Sequence, residues 1–209
     1  MKRTIALLCA LLLLLSLTAC GSSYSKPQKT AQTFFKAAQT LDVDAINACG
    51  ESGSLMEWDL VQQTADTDDR QLLSFLRELA AMMDWTITDT VVDGDTASVQ
   101  ATVTYADGSM LVKSTMTDVM ADMMMALFGD ESEADAQTQF INKLRSNLKT
   151  EPPKTQTADV ALQMVRTVDG WRIRELPDAM LTVLTGNTIE MLQEAADTFS
   201  GVASAQVEA

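Results

Sequence analysis

Residues 97–105 read Ala-Ser-Val-Gln-Ala-Thr-Val-Thr-Tyr, an alternation of apolar and polar side chains that decides the fold class of this chain. Because successive side chains of a β-strand point to opposite faces, this period of two predicts a strand with one buried face and one solvent-exposed face. The preceding run, residues 85–92, is rich in β-branched residues, and Asp93-Gly94-Asp95 supplies turn chemistry between the two segments. The sequence therefore predicts a β-hairpin here.

A second hairpin is predicted closer to the C-terminus. Val160, Leu162 and Met164 alternate along one strand, and residues 171–174 return as its partner. Between these strands, Asp169-Gly170 is typical of the two central positions of a type I′ turn. Two hairpins form an antiparallel sheet, and the apolar face of that sheet has to be covered.

Apolar residues at helical spacing predict the elements that cover it. A first helix begins at Pro27 and extends to Leu41, and either Asp42 or Asp44 caps a further turn. A second helix follows, with its apolar positions in residues 72–83.

Two more helices are predicted between the hairpins, in residues 112–149. Pro152-Pro153 ends the second of these helices, because neither proline can donate a backbone hydrogen bond. Near the C-terminus, Asn187 and Glu190 have the spacing of a capping box that opens a last helix.

Helices followed by hairpins predict an α+β fold. We expect N-terminal helices packed on a curved, cone-like antiparallel sheet made of hairpins, with a two-helix insertion at 112–149 and a C-terminal helix. The expected domain is single and covers residues 27–201, and residues 202–209 are expected to fray.

The N-terminal residues have the parts of a signal peptide. Lys2 and Arg3 are positive, and residues 5–17 are apolar apart from Ser16. Thirteen helical residues rise about 20 Å, which is short of the ~30 Å hydrocarbon core, so this stretch suits a cleaved signal better than a membrane span.

The residues Leu17-Thr18-Ala19-Cys20 resemble the lipobox of bacterial lipoproteins. The resemblance implies that a diacylglyceryl group, with fatty acids such as palmitate, is attached to the Cys20 thiol and that residues 1–19 are removed. Residues 20–26 then form a lipidated tether. It also implies a location at the outer face of the cytoplasmic membrane, or at the outer membrane in a Gram-negative cell.

Composition limits the partners and the chemistry. The formal charge of −14 becomes more negative when Lys2 and Arg3 leave with the signal peptide, so we expect no nucleic-acid partner. Cys9 also leaves with the signal peptide and Cys20 carries the predicted lipid. Cys49 is then the one cysteine with a free thiol, and we expect it to be a small buried apolar residue.

Most catalytic and metal-binding chemistries lack their residues. The chain has no histidine, which excludes Ser-His-Asp and Cys-His catalysis and the usual histidine-bearing zinc sites. No glycine-rich phosphate loop is present. Asp66 and Asp68 have the spacing that starts a calcium loop, but the glycine and glutamate that such a loop needs are absent. We therefore expect no cofactor, no metal and no catalytic residue.

Two further motifs resemble a family. Leu-Asp-Val-Asp-Ala at residues 41–45 and Asp-Gly-Trp-Arg-Ile at residues 169–173 are similar to segments of small lipoproteins of Gram-positive bacteria. Such domains resemble the nuclear transport factor 2 superfamily, in which a curved sheet and helices surround a pocket. Because some members of that superfamily resemble ketosteroid isomerases, the resemblance implies an alternative enzyme function, with Tyr105 and either Asp89 or Asp159 in the pocket.

The methionines are the most unusual feature of the composition. Met116, Met120 and Met124 recur at i, i+4 and i+8. They either fill a core, form an adaptable surface for a partner or apolar ligand, or bind a soft metal such as Cu(I). We expect Met120 to be buried, because Val119 and Met123 flank it.

These observations predict a membrane-anchored, extracytoplasmic, non-catalytic domain that binds an apolar ligand or an envelope partner. The candidate ligand or partner surface consists of Met116, Met120, Met124 and Tyr105. The alternatives are the pocket enzyme with Tyr and Asp chemistry and a purely structural interaction module.

Overall fold

The computed structural model describes residues 26–53, 55–56, 67–126, 136–189 and 191–193. The predicted signal peptide, Cys20 and the tail at 202–209 lie outside these residues. The helices and strands of the described part are, in chain order, α1 (Pro27–Thr40), α2 (Val43–Asn47), α3 (Thr67–Ala80), β1 (Asp84–Asp93), β2 (Thr96–Asp107), α4 (Ser109–Ala126), α5 (Ala136–Thr150), β3 (Lys154–Thr167), β4 (Gly170–Ile173) and α6 (Asp178–Leu184).

The four strands form one open antiparallel sheet in the order β1-β2-β3-β4. Trp85 pairs with Val103 across β1 and β2, and Val99 pairs with Leu162 across β2 and β3. Along β2, buried residues alternate with half-exposed ones from Ala97 to Tyr105, as the period of two predicts. The α+β class, both hairpins and the two-helix insertion are thus confirmed.

The core lies between the inner face of the sheet and helices α1, α3 and α6, which contact its strands. Val103 and Leu162 on the sheet and Phe34 on α1 are fully buried. Phe35 stacks on Trp85 of β1, with ring centroids 5.2 Å apart and an interplanar angle of 20°. Offset stacking of this kind adds to the free energy gained by burying the two rings.

Helix α1 ends where the sequence predicts. Leu41 has a φ of 49° and is fully buried, and its backbone N–H reaches Ala38 O at 3.0 Å. Of the two predicted caps for the next turn, Asp42 is the one used, since its Oδ1 accepts a 3.0 Å hydrogen bond from Ala45 N–H.

The prediction of a type I′ turn in the second hairpin is wrong. Thr167 and Gly170 form the closing pair, so the two central residues are Val168 and Asp169, and neither has a positive φ. The Thr167 hydroxyl accepts from Asp169 N–H at 3.3 Å and donates to Gly170 O at 2.9 Å. These local bonds shift the turn by one residue and leave Gly170, with a φ of 117°, just after it.

Two differences occur near the C-terminus. Helix α6 is not among the predicted elements, because its seven residues are too few to show a helical period, although Pro177 and Asp178 mark its start. Asn187 is not a helix N-cap as predicted, because its φ of 58° lies in the left-handed region, whereas an N-cap needs extended backbone. Of the predicted last helix, Ile189 and residues 191–193 are described as helical.

The insertion forms an outer helical layer. Helix α4 packs on α5, and α5 packs on α3. Lys143 of α5 forms an ion pair with Asp122 of α4 at 2.6 Å. Arg145 of α5 forms an ion pair with Glu78 of α3 at 3.2 Å. Among the described residues, none of these helices is long and apolar enough to cross a membrane.

Candidate functional site

Four methionines of α4 face solvent. Met110, Met120, Met124 and Met125 are 69%, 46%, 65% and 66% exposed, respectively. At 3.6 residues per turn they occupy an arc of about 140° on one side of the helix. We call these four residues the methionine face. Lys113 and Asp118 are the charged residues within or beside this arc, so the exposed side of α4 is mainly apolar or uncharged.

The opposite side of α4 is buried against the rest of the domain. Val112 and Val119 are 0% and 1% exposed, and the Thr115 hydroxyl accepts a 3.0 Å hydrogen bond from Asn147 Nδ2 of α5. Met116 and Met123 are half-buried and pack against the core. Helix α4 therefore carries apolar side chains on both sides, which is unusual for a helix at the surface.

The expectation that Met120 is buried is wrong. Val112, Met116, Val119 and Met123 follow each other at spacings of four, three and four residues, and this stripe is the one that meets the domain. Met120 lies one residue, or about 100°, beyond Val119 and is turned toward solvent.

The four residues of the predicted surface do not lie together. Tyr105 is 8% exposed on the inner face of the sheet, and Met116 is half-buried. Only Met120 and Met124 of that set belong to the methionine face. Met110 was not predicted, because it precedes the i, i+4, i+8 series; its position in the first turn of the helix was the available signal.

The residues of the alternative enzyme site are separated by the sheet. Tyr105 faces the helices, and burial together with the nearby Asp107 carboxylate raises its pKa. Asp159 is exposed on the other face, where it accepts a 2.9 Å hydrogen bond from the Thr102 hydroxyl. Asp89 pairs with Gln100 in the sheet and is exposed on that same outer face. Tyr105 and the two carboxylates therefore do not converge.

Cys49 is buried, as predicted, with an exposed fraction of 4%. Its thiol donates to Ala45 O at 3.4 Å. Burial raises the pKa of the thiol, and the positive charge of Arg172 offsets part of that effect. Because the thiolate is the reactive form, Cys49 is a packed apolar residue at neutral pH.

A cleft of about 310 Å³ lies at the junction of α1, α2 and α3. It is lined by Thr40, Leu41, Asp42, Val43, Asp44 and Arg77. Its lining carries charges of both signs and includes no residue of the sheet, so it is not the pocket that a cone-shaped sheet would enclose. Within the described residues, no three His, Cys, Asp or Glu side chains come close enough to hold a metal ion.

Comparisons with known proteins assign no family. No family model and no curated protein matches the chain. A candidate lipoprotein of Bacillus subtilis has a TM-score of 0.44 and 16% identity to it, over 77% of this chain and 46% of that chain. The present chain thus spans less than half the length of that protein. A likeness at this level is too weak to carry a fold or a function across, and the resemblance to the nuclear transport factor 2 superfamily stays a prediction.

Proposed function

We propose that this chain is a lipid-anchored lipoprotein of the cell envelope, and that its domain binds a protein partner through the methionine face without catalysing a reaction. The observation that carries the proposal is the exposure of Met110, Met120, Met124 and Met125 on one side of α4. Larger exposed apolar patches on soluble domains are typical of interaction sites.

Methionine suits such a contact. Its side chain is unbranched and its sulfur is polarisable, so a surface of several methionines can repack against partners of different shape. The buried stripe of α4 is held by Val112 and Val119, so the exposed methionines are not needed to attach the helix to the domain. Exposing these methionines to water is unfavourable, and a partner that covers them would remove that unfavourable exposure.

The charge of the chain favours a protein over a lipid surface as the occupant. The formal charge is −14, and bacterial membranes expose anionic headgroups that repel such a domain. Lys113 is the one lysine or arginine of α4, so it is the side chain beside the methionine face that could attract an anionic lipid. A protein with an apolar groove or helix meets the same surface without that repulsion.

The predicted anchor would bring this surface to the membrane. Residues 21–26 span at most about 20 Å when extended, and α1 begins directly after them at Pro27. Two acyl chains on Cys20 would hold the domain stably at the bilayer. The partner is therefore expected on the same membrane or within a short distance of it.

Site-specific photo-crosslinking in the native host tests this proposal. A benzophenone amino acid replaces Met124 in the full-length protein, and the matched control replaces Val168, which is 96% exposed at the tip of the second hairpin. We expect a discrete protein adduct from position 124 and not from position 168, with a yield lowered severalfold by Met120→Glu. Adducts with lipid alone, the same adducts from both positions, or no adduct from position 124 would each overturn the proposal.

A further inference from the structure

The two edge strands of the sheet differ in whether another segment of the chain forms hydrogen bonds with their outer side. At the β4 edge, Ile173 N–H donates to Cys49 O at 2.9 Å and Glu51 N–H donates to Ile173 O at 2.8 Å, so another segment of the chain covers this edge. At the opposite edge, no strand among the described residues pairs with the outer side of β1. An edge of this kind presents backbone donors and acceptors to any extended segment that can reach it.

The second half of β1 is the most accessible part of this edge. Val91 and Val92 are 57% and 49% exposed although they are β-branched apolar residues in a ten-residue strand. Together with Thr90 they give the segment from Asp89 to Asp93 a strong preference for extended backbone. The edge is therefore formed in advance and does not have to be ordered by a partner.

A β-bulge places three carboxylates on one face of this strand. The register shifts between Ile87 and Asp89, so Thr86 and Asp89 lie on the same outer face although they are three residues apart. Asp84 and Asp93 lie on that face too, opposite Thr104 and Thr96 of β2. None of the three ion pairs found among the described residues uses any of these aspartates.

We propose that the outer edge of β1, with which no described strand pairs, binds an extended, basic segment of a protein partner by strand addition. Backbone hydrogen bonds to β1 would supply the pairing, and lysine or arginine at alternate positions of the added strand would lie beside Asp84, Asp89 and Asp93. Threonine or valine at the other positions would continue the inner face next to Val92.

A second copy of this chain does not fit the same edge. Pairing two β1 strands would bring two rows of aspartates together, and each chain carries a formal charge of −14. Like charges on neighbouring strands are destabilising, and a net charge this far from zero keeps proteins apart. The charge thus selects a basic partner over self-association.

This edge is separate from the methionine face, so the inference goes beyond the proposed function and does not depend on it. It is also separate from the start of α1, where the predicted tether enters. The Thr30 hydroxyl of α1 bonds to Trp171 O on β4, and β4 is three strand spacings, or roughly 14 Å, from β1.

The test uses the mature protein and a fluorescent, end-capped peptide of about seven residues, in which lysine alternates with threonine or valine. Fluorescence anisotropy at low salt measures its affinity. We expect binding that Asp89→Asn with Asp93→Asn weakens about tenfold, the effect of losing two favourable exposed charge pairs. The matched control, Asp118→Asn with Glu151→Gln, removes the same charge from exposed sites elsewhere and should change affinity less than about twofold. Equal losses in both double variants would overturn the inference.

N-methylated peptides distinguish strand addition from simple charge attraction. One peptide is methylated at its lysine backbone nitrogens, and another at the nitrogens of the intervening residues. Because the donors of alternate residues point to opposite edges of a strand, only one of these peptides should lose binding. Retention by both, or loss by both, would overturn strand addition, and an acidic peptide of the same length that binds as well would overturn the charge argument. A dimer of the mature protein that depends on Val91 would instead assign the edge to a second copy.

Discussion

The hydroxyl of Thr30 donates a 3.1 Å hydrogen bond to the backbone carbonyl of Trp171, which joins the first helix of the domain to its last strand. Thr30 is 8% exposed and Trp171 is 2% exposed, so this bond is closed to bulk water. It fixes the N-terminal turn of α1, and with it the point where the predicted tether enters, against the β4 edge of the sheet.

Thr30→Val is therefore expected to lower the free energy of unfolding by about 1 kcal/mol, because the buried Trp171 carbonyl then keeps only a longer, 3.4 Å hydrogen bond from Arg172 Nη1. Urea denaturation of the mature domain measures this change. The matched control is Thr33→Val on the same helix, since the Thr33 hydroxyl bonds to Lys29 O at an exposed site. That control should change stability by less than about 0.5 kcal/mol. Equal effects of the two changes would show that the bond to Trp171 contributes little.

Gly170→Val is expected to destabilise the domain by more than about 1 kcal/mol. The φ of Gly170 is 117°, a backbone region that a β-branched residue resists. The strain arises at the residue after the turn, so Val168→Thr at the exposed tip serves as the control and should melt like the wild-type protein. A Gly170→Val protein with an unchanged melting temperature would mean that the strand relaxes to a negative φ.

The two sides of α4 should respond differently to truncation. Val119→Ala is expected to cost roughly 1.5–3 kcal/mol, because the Val119 side chain is 1% exposed. Met120→Ala should cost less than about 0.5 kcal/mol, as is usual for a surface substitution. Chemical denaturation of both variants measures the difference, and a Met120→Ala loss as large as that of Val119→Ala would contradict the exposure of the methionine face.

The rate of oxidation should also distinguish the exposed methionines from the buried ones. Under dilute peroxide the folded protein is expected to form sulfoxide first at Met110, Met124 and Met125, while Met164 and Met180, which are 2% and 0% exposed, resist. Peptide mapping by mass spectrometry follows each site. In urea all five should react at similar rates, which controls for sequence effects.

The stability of the domain should fall at alkaline pH partly through Tyr105. Burial and the Asp107 carboxylate raise the pKa of Tyr105 above the usual value near 10, so the unfolded chain loses this proton first. The contribution of the neutral Tyr105 hydroxyl to the free energy of unfolding is fully present below about pH 10. It is lost as the pH rises through the pKa of Tyr105 in the folded state. Tyr105→Phe should therefore flatten the decline above pH 10, measured by urea denaturation across that range. An unchanged slope in the variant would show that Tyr105 titrates alike in the folded and unfolded states.

Cys20→Ser should leave the protein unprocessed or mislocalised if Cys20 carries the lipid. Membrane fractionation and the intact mass of the protein from its own host measure both effects. The control is Ser22→Ala, two residues beyond, which should be processed and anchored normally. A Cys20→Ser protein that is still mature and still requires detergent would contradict the predicted anchor.

Much of the fold follows from local patterns. The alternation of residues 97–105 sets β2, because a strand with one buried face needs a period of two. The apolar spacing from Ala31 to Leu41 sets α1, and Asp42 gives the cap of the next turn. Tyr105 is in phase with the buried residues Val99 and Val103 of β2. Asp159 is one residue out of phase with the buried Val160 of β3, so the alternation already places Tyr105 and Asp159 on opposite faces of the sheet.

Sequence alone determined the α+β class, the two hairpins and the inserted helices, because amphipathic periods record which face of each element is buried. Tertiary structure decided the turn at Val168-Asp169, because the register that pairs the buried Met164 with the buried Ile173 closes the hairpin at Thr167 and Gly170. It also decided which methionines of α4 face solvent. A helix that is apolar on both sides has no periodic signal for its orientation, so the packing of α4 on α5 selected the stripe from Val112 to Met123 and left Met110, Met120, Met124 and Met125 exposed.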